Sequence, residues 1–158
     1  MVAGVSGYRV YLYKDKKLVK RVDTTKLALT FRKLSKGTEY KIVVKAYKTI
    51  DGKKVLSLVS KELLTATKLS APTSVKVKAG NKMATVSWTK VKSANSYTVY
   101  YSTNKNRGFK KLTVIKNSAD IKKLSSGKTY YFKVVANKKA GKAVVASDYS
   151  KLVSAKIK

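Results

Sequence analysis

The sequence predicts an all-β protein, because three observations agree. Apolar side chains occupy alternate positions in several short segments, and these segments are rich in Val, Ile and Tyr, which favour strands. Such segments recur about every ten residues, a spacing that is typical of a β-sandwich or barrel. An internal repeat predicts, in addition, that one β unit occurs twice in the chain.

The strands with the clearest alternation occupy equivalent places in the two copies. Each of them puts apolar residues on one face and polar residues on the other. They cover residues 8–12, 40–46, 97–101 and 130–136. After the second of these segments, Asp51-Gly52 predicts a two-residue hairpin turn, because both residue types accept a positive φ.

The internal repeat is clearest in one seven-residue motif. L-S-K-G-T-E-Y at 34–40 recurs as L-S-S-G-K-T-Y at 124–130, ninety positions later. The strand that begins at Tyr8 recurs at Tyr97. The only proline, Pro72, lies in the segment that joins the copies, which suits the first residue of an edge strand. We therefore predict two domains, residues 1–68 and 69–158.

The two copies are unequal. The second begins with strand-like segments at 74–78 and 83–88, and the first has no counterpart of either. Instead, residues 2–8 align with residues 91–97. A sandwich without two strands leaves apolar area uncovered and a backbone edge unpaired. We expect the sequence to be a piece of a longer repeat array, and the alternative is that another chain supplies the missing strands.

The second copy resembles a fibronectin type III domain over its whole length. Pro72 matches the start of strand A, Trp88 matches strand B, and Ser147-x-x-Ser150 matches the start of strand G. The further matching positions are Tyr97, Val99 and Tyr101 in strand C, and Leu124, Gly127, Tyr130, Phe132, Val134 and Ala136 at the E–F corner and in strand F. The first copy resembles the same domain from strand C to strand G.

This resemblance implies an all-β fold of two fibronectin type III-like (immunoglobulin-like) β-sandwiches in tandem, the first incomplete. The matching positions have a structural explanation that requires no binding role. They provide a large core Trp, tyrosines whose hydroxyl groups bond to the backbone, and turn glycines with positive φ. The residues expected to have these structural roles are Tyr40, Trp88, Tyr130, Gly37 and Gly127.

The composition argues against catalysis and metal binding. Without His or Cys, the chain has no imidazole base, thiol nucleophile, disulfide or ordinary zinc site. Its seven acids are scattered, and neighbouring cations keep carboxylates ionised instead of raising a pKa for general acid chemistry. No apolar run approaches the length of a transmembrane helix. We expect no enzyme activity, no catalytic or metal-binding residue, no cofactor and no membrane span.

The positive charge is the feature that could indicate binding. The chain has 37 Lys and Arg against 7 Asp and Glu, a net charge of +30. Cations interleaved with aromatic rings can bind polyanions or stack on sugars and bases. Alternation predicts a candidate binding face on strands C and F, formed by Arg9, Tyr11, Lys41, Lys45, Tyr47, Tyr100, Tyr131 and Lys133. The alternative is that outward-facing lysines only keep the strands soluble and unpaired.

The resemblance, together with a lysine-rich composition similar to that of secreted Gram-positive surface proteins, implies a non-catalytic extracellular structural or adhesive module at a bacterial cell surface. A second hypothesis is a polyanion- or glycan-binding module for anionic cell-wall polymer, sulfated glycan or nucleic acid. Two further hypotheses are a strand-complemented fibre with neighbouring repeats of the same or another chain, and an accessory domain of a polysaccharide-degrading enzyme. We predict no specific nucleic-acid recognition, because bidentate phosphate contacts favour Arg over Lys.

Overall fold

A computed structural model describes residues 4–158, and every regular element in this range is a β-strand. The predicted all-β fold class is confirmed. The chain divides into two compact units, Met1–Thr67 with Ala140–Ala143 and Lys68–Lys139 with Val144–Lys158. Residues 1–3 of the predicted first domain, and with them part of the segment aligned with 91–97, lie outside the described residues.

The first unit contains one antiparallel sheet. Its strands follow the order β2-β1-β3-β4, and β5 also pairs with β3. The strands are β1 (Gly7–Lys14), β2 (Lys17–Thr24), β3 (Glu39–Ile50), β4 (Lys53–Leu56) and β5 (Leu63–Ala66).

Tight turns join the neighbouring strands of this sheet. Asp51 and Gly52 connect β3 to β4 with φ values of 48° and 72°, so the predicted two-residue hairpin is confirmed. Asp15 and Lys16 connect β1 to β2 with φ values of 47° and 66°. Two successive positive φ values give the turn a twist that matches that of the flanking strands.

The two faces of this sheet differ in what covers them. Val10 and Leu12 of β1 and Tyr40 of β3 are buried on the inner face, where the segment 25–38 crosses. That segment contains no strand, although the predicted series of strands C to G includes strand E at this place. The physical reason is that a strand is held by its partner, and no strand pairs with this segment among the described residues.

The second unit contains two antiparallel sheets. The three-stranded sheet has the order β10-β7-β6, and the five-stranded sheet has the order β12-β11-β8-β9 with β13 also paired to β11. The strands are β6 (Lys76–Gly80), β7 (Met83–Ser87), β8 (Ser96–Ser102), β9 (Lys110–Val114), β10 (Ser118–Lys122), β11 (Thr129–Ala140), β12 (Ala143–Ala146) and β13 (Val153–Lys156).

The core of the second unit lies between its two sheets. Alternate residues of β7, β8 and β11 are fully buried there, as the period-two pattern predicts. Trp88 follows the last residue of β7 and is buried, and its ring meets that of Tyr97 edge-on at 5.2 Å. Asn117 fixes the Trp88 backbone, because its Nδ2 donates to the Trp88 carbonyl at 2.9 Å.

The two units repeat the same corner before their longest strands. The Tyr40 hydroxyl accepts the Ser35 N–H at 3.3 Å, and the Tyr130 hydroxyl accepts the Ser125 N–H at 3.2 Å. Gly37 and Gly127, three residues before these tyrosines, have φ values of 60° and 74°. Only glycine adopts this backbone region without a steric cost, so the turn depends on it.

Candidate binding surfaces

Clustered metal ligands and long apolar helices are both missing from residues 4–158. No three His, Cys, Asp or Glu side chains in this range lie close enough to hold a metal ion. No helix in the same range is long and apolar enough to cross a membrane.

On the outer face of the first unit, one carboxylate holds two cations. Arg9 donates from Nε and Nη2 to the two carboxylate oxygens of Asp23, at 2.7 and 2.9 Å. Lys54 Nζ lies 2.5 Å from Asp23 Oδ2. The register of β1 on β2 places Arg9 directly opposite Asp23, which explains the bidentate geometry.

These contacts change the ionisation of the groups. The hydrogen bonds from Arg9, and then those from Lys54, hold the pKa of the Asp23 carboxyl far below its usual range. The bond to Asp23 raises the pKa of the Arg9 guanidinium in turn. Lys41 also has an anionic partner, because its Nζ lies 2.7 Å from Glu62 Oε1. Two predicted binding cations, Arg9 and Lys41, are therefore already paired with carboxylates.

The aromatic residues of this face lie close to the cations. Tyr11 stacks beside Tyr13, with ring centroids 6.4 Å apart, and Lys41 Nζ lies 5.4 Å from the Tyr13 ring. Lys45 is half-buried on β3, opposite Arg9. Arg9 and Lys41 are thus paired with carboxylates, whereas Lys45 and the exposed Arg21, which lies opposite Tyr11, are in no salt bridge of the described residues.

Tyr47 was predicted to lie on the exposed binding face, and the structure shows that it is buried. It lies opposite Gly7 in the register of β3 on β1, on the predicted side of the sheet, but it is only 8% exposed. Its ring covers Gly7, where an added Cβ would lie 2.6 Å from the Tyr47 hydroxyl oxygen, and Lys54 Nζ lies 4.5 Å from the ring centroid. Because Gly7 has no side chain, the ring can pack against the backbone, and it is lost to any ligand.

In the second unit, Lys133 lies among aromatic rings. Its Nζ is 4.0 Å from the Tyr149 ring centroid, 4.3 Å from that of Phe109 and 6.0 Å from that of Tyr100. Tyr100 and Tyr149 meet edge-on at 5.2 Å. We call Tyr100, Phe109, Lys133 and Tyr149 the Lys133 aromatic cluster. Lys111 Nζ also lies 5.5 Å from the Tyr100 ring, and Tyr149 is 51% exposed, so cations and ring surface occur together as a sugar or an anionic polymer would require.

The predicted candidate binding face and the Lys133 aromatic cluster share only some of their residues. Tyr100 and Lys133 belong to both, whereas Tyr131 lies two residue pairs further along, between Ser102 of β8 and Ser154 of β13. Phe109 and Tyr149 were missed, because both lie outside the strands and alternation carries no information about them. The only sequence signal for Tyr149 is its place inside the Ser147-x-x-Ser150 motif.

A cationic cavity of about 370 Å³ lies at one end of the second unit. Lys110 of β9 and Lys122 and Lys123 at the end of β10 contribute the charge, and no acidic residue lines the cavity. The hydroxyl groups of Ser102 and Thr103 and the rings of Tyr101 and Tyr130 complete its walls. We call this site the lysine cavity. The sequence prediction missed it, because no alternation pattern brings residues 110 and 122–123 together.

A hydrogen bond changes the ionisation of one wall residue of the lysine cavity. The pKa of Tyr130 is lowered, first because its hydroxyl oxygen accepts the Ser125 N–H and also because Lys110 and Lys128 are near. The volume lies in the range of small-molecule sites, and it suits one charged sugar unit or a phosphate or sulfate ester. Ammonium groups beside hydroxyl donors can bind such an anion by charge-assisted hydrogen bonds.

Comparisons with known proteins agree with this architecture. The family model "Fibronectin type III domain" matches residues 70–151, which is more than half of the chain. No curated protein matches the sequence significantly. Domains of this family are generally non-catalytic modules for structure or interaction and are typically extracellular.

Several solved structures share the fold. The crystal structure of chicken CNTN1 FN1-FN3 domains is 21% identical with a TM-score of 0.54, and the match covers 96% of this chain and 56% of that chain. The fn3 domain of human contactin 1 is 24% identical with a TM-score of 0.52, covering 60% and 83% of the two chains. A segment of two fibronectin type III domains from chicken tenascin is 25% identical with a TM-score of 0.51, covering 98% and 85%.

The present chain thus spans little more than half the length of the CNTN1 fragment. The likeness to these structures concerns the fold. The family match covers most of the two-sheet sandwich, from before β6 to before β13, and includes Trp88 and Tyr130. The chain belongs to the fibronectin type III family.

Proposed function

We propose that this chain is a structural and adhesive module of a bacterial cell-surface or secreted protein, and that it contacts anionic polymers of its surroundings through its positive charge. Family membership supports a non-catalytic structural or interaction role. The lysine-rich composition supports the bacterial surface setting. The repeat of one β unit along the chain supports a role as a spacer or an interaction array.

The observation that carries the adhesive role is the amount of unneutralised charge. Of 37 cations, four contact a carboxylate within the described range: Arg9, Lys41, Lys54 and Lys68. The remaining lysines cover both units and create a positive field. Such a field attracts polyanions by counterion release, which requires no specific pocket.

A second candidate function is recognition of an anionic sugar unit at the lysine cavity. It is favoured by three lysines around one concave site that no acid lines. On the predicted C–F face, by contrast, Arg9 and Lys41 are already paired with Asp23 and Glu62. We therefore propose that binding takes place in the second unit, where the lysine cavity and the Lys133 aromatic cluster lie, and not in the first.

The test compares binding to wall polymer, heparin and DNA with binding to a neutral polysaccharide. We expect retention on the anionic polymers at about 50 mM salt, and a steep loss between about 50 and 200 mM, because released counterions drive the association. Calorimetry or a column binding assay gives the salt slope. Equal retention on the neutral polysaccharide, or no retention on any polymer at low salt, would disprove the adhesive role.

Matched variants separate the two candidates. Lys110→Gln, Lys122→Gln and Lys123→Gln together remove three charges from the lysine cavity. Lys76→Gln, Lys78→Gln and Lys90→Gln remove three exposed charges elsewhere in the second unit. Recognition at the cavity predicts that the first triple variant loses at least about tenfold more affinity than the second. Equal losses of affinity in the two variants would show that the general positive field of the chain accounts for the whole interaction.

A further inference from the structure

The Lys133 aromatic cluster is part of a row of side chains that crosses the outer face of the five-stranded sheet in the second unit. In the register of this sheet, Tyr100 of β8 lies opposite Lys111 of β9 and also opposite Lys133 of β11. Lys133 Nζ lies 4.0 Å from the ring centroid of Tyr149, which lies between β12 and β13 in the chain. Because neighbouring strands are only about 4.8 Å apart, the row alternates cations and aromatic rings at close spacing.

The ammonium group of Lys133 is held in position by aromatic rings. Its Nζ contacts the Tyr149 ring and lies 4.3 Å from the ring centroid of Phe109. Neither Lys133 nor Lys111 forms a salt bridge within the described part of the chain. Contact with ring faces restrains the side chain, and an ammonium group keeps N–H donors for an anion. The cation is therefore oriented before a ligand arrives, which lowers the entropic cost of binding.

Hydroxyl groups flank this row on the same face of the sheet. On one side, Thr98 and Thr113 lie opposite each other, and their hydroxyl oxygens are 3.2 Å apart. On the other side, Tyr131 of β11 lies opposite Ser154 of β13. A bare polyanion needs only cations, whereas a sugar also packs its ring on an aromatic side chain and exchanges hydrogen bonds with hydroxyl groups. The combination of side chains therefore favours a sugar that carries an anionic group.

The first unit shows that the fold does not require this cluster. Ninety positions before Lys133 and Tyr149, the chain has Val43 and Val59. Val43 lies opposite a tyrosine, Tyr11, just as Lys133 lies opposite a tyrosine in its own unit. Since valine satisfies the fold at both positions, the cation and the ring of the second unit are not structural requirements, and they indicate a site that is specific to that unit.

We propose that the Lys133 aromatic cluster binds one acidic sugar unit, a pyranose ring with an anionic group on the same ring. The sugar ring packs on Tyr149, which is 51% exposed, and the anionic group accepts hydrogen bonds from Lys133 Nζ. Because this Nζ lies 4.0 Å from the Tyr149 ring centroid, the anion and the stacked ring have to belong to the same sugar. The inference rests on the proposed function and names the polymer as an acidic polysaccharide.

The test titrates the full chain with defined oligomers at about 0.15 M salt and follows them by NMR. The acidic probes are a tetrasaccharide with glucuronic acid at alternate positions and one with sulfate esters at alternate positions. The controls are a neutral N-acetylglucosamine tetrasaccharide and a glycerol phosphate oligomer of equal charge. We expect an acidic tetrasaccharide to bind at least about tenfold more tightly than either control, with upfield shifts of its ring protons from stacking. The tighter acidic probe identifies the anionic group as carboxylate or sulfate.

Variants of the chain localise the interaction. Tyr149→Val should abolish the upfield shifts and weaken binding at least about fivefold, whereas Tyr149→Phe should preserve both because it keeps the ring. Lys133→Val should weaken binding at least about tenfold. Lys139→Val is its matched control, because it removes an exposed lysine of the same strand about 20 Å away, and it should cost less than about twofold. Both valine variants at the site use the residue of the first unit, and circular dichroism checks their fold.

Four results would overturn the proposal. They are equal binding of the glycerol phosphate oligomer and the acidic tetrasaccharides, the absence of upfield shifts, equal losses in Lys133→Val and Lys139→Val, and loss of the shifts in the triple variant of the lysine cavity. The last result would place the sugar in the cavity instead. Any of them together with salt-dependent retention on anionic polymers leaves the adhesive role intact. Absence of that retention at low salt disproves the adhesive role itself, so the two failures are distinguishable.

Discussion

Asp23 lies between Arg9 and Lys54 on the outer face of the first unit, and it shows how a single acid controls local charge. One carboxylate accepts three hydrogen bonds from two cations that are 14 and 31 residues away in the sequence. The contacts hold the pKa of Asp23 well below its usual range. They therefore stabilise the fold only while the carboxylate is ionised in the folded chain.

We expect Asp23→Asn to lower the melting temperature at pH 7 by about 1–5 °C, the scale of a partly exposed ion-pair network. The pKa of Asp23 in the folded chain lies below its value in the unfolded chain, which is about 4, so this stabilisation is complete above about pH 4. It declines as the pH falls towards the folded pKa. The melting temperatures of wild type and variant should therefore converge on acidification, as measured by circular dichroism.

Asp51→Asn is the matched control for this experiment. Asp51 lies in the β3–β4 turn with φ of 48°, a conformation that Asn also tolerates. The melting temperature of the Asp51→Asn variant should follow that of the wild type from pH 7 to about pH 2. A constant deficit of Asp23→Asn across this range would show that the ion pairs do not cause the effect.

At the scale of elements, two serines in each unit replace backbone pairing at a break in the last strand. The Val44 N–H donates to Ser60 Oγ at 3.0 Å, and the Ser60 N–H donates to the Val44 carbonyl at 2.9 Å. Ser150 and Val134 make the same two bonds at 2.9 and 2.8 Å. Each serine therefore satisfies a β-strand amide where the neighbouring strand is interrupted.

The equivalent serines allow one interaction to be compared in two environments. Ser150 and its bond are buried, whereas the Ser60 bond is exposed. We expect Ser150→Ala to destabilise the second unit by about 1–3 kcal/mol, because the Val134 N–H is left buried without an acceptor. Ser60→Ala should cost less than about 1 kcal/mol, since water can replace the hydroxyl group.

Denaturant unfolding and hydrogen exchange at the Val134 and Val44 amides measure this difference. The exchange rate of the Val134 amide should rise in Ser150→Ala by more than that of the Val44 amide in Ser60→Ala. Equal losses in the free energy of unfolding of the two units would mean that burial does not control how strongly this hydrogen bond stabilises them.

At the scale of the whole molecule, the two units differ in how completely their cores are enclosed. In the second unit, two sheets bury a cluster that includes Val86, Trp88 and Phe132. In the first unit, a single sheet is covered on its inner face only by an irregular segment, and Leu27 and Leu29 remain exposed. Burial of apolar area is the main stabilising contribution, so we expect the first unit to be the less stable one.

We expect the chain to unfold in two steps in denaturant. Trp88, the only tryptophan, reports the second unit by fluorescence, and hydrogen exchange in β1 and β3 reports the first. The first unit should open at lower denaturant concentration, and its amides should exchange faster than those of β8 and β11. Coincident transitions by both probes would show instead that the units unfold as one.

The sequence by itself determined the all-β class, the strands with the clearest alternation, the repeat and the Asp51–Gly52 turn. The alternation around Val99 and Val134 and the Asp51–Gly52 turn are local properties, because side-chain direction and turn geometry depend on neighbouring residues. The exclusion of a histidine or cysteine centre also followed from composition alone.

Only the tertiary structure decided which side chains meet. It paired Arg9 with Asp23, buried Tyr47 against Gly7, surrounded Lys133 with rings and gathered lysines around a cavity. It also showed that residues 28–32 are not a strand, although the equivalent β10 is one. The physical reason is the same in each case. Contacts between distant residues depend on strand pairing and register, and these are set by the partners that the folded chain brings together.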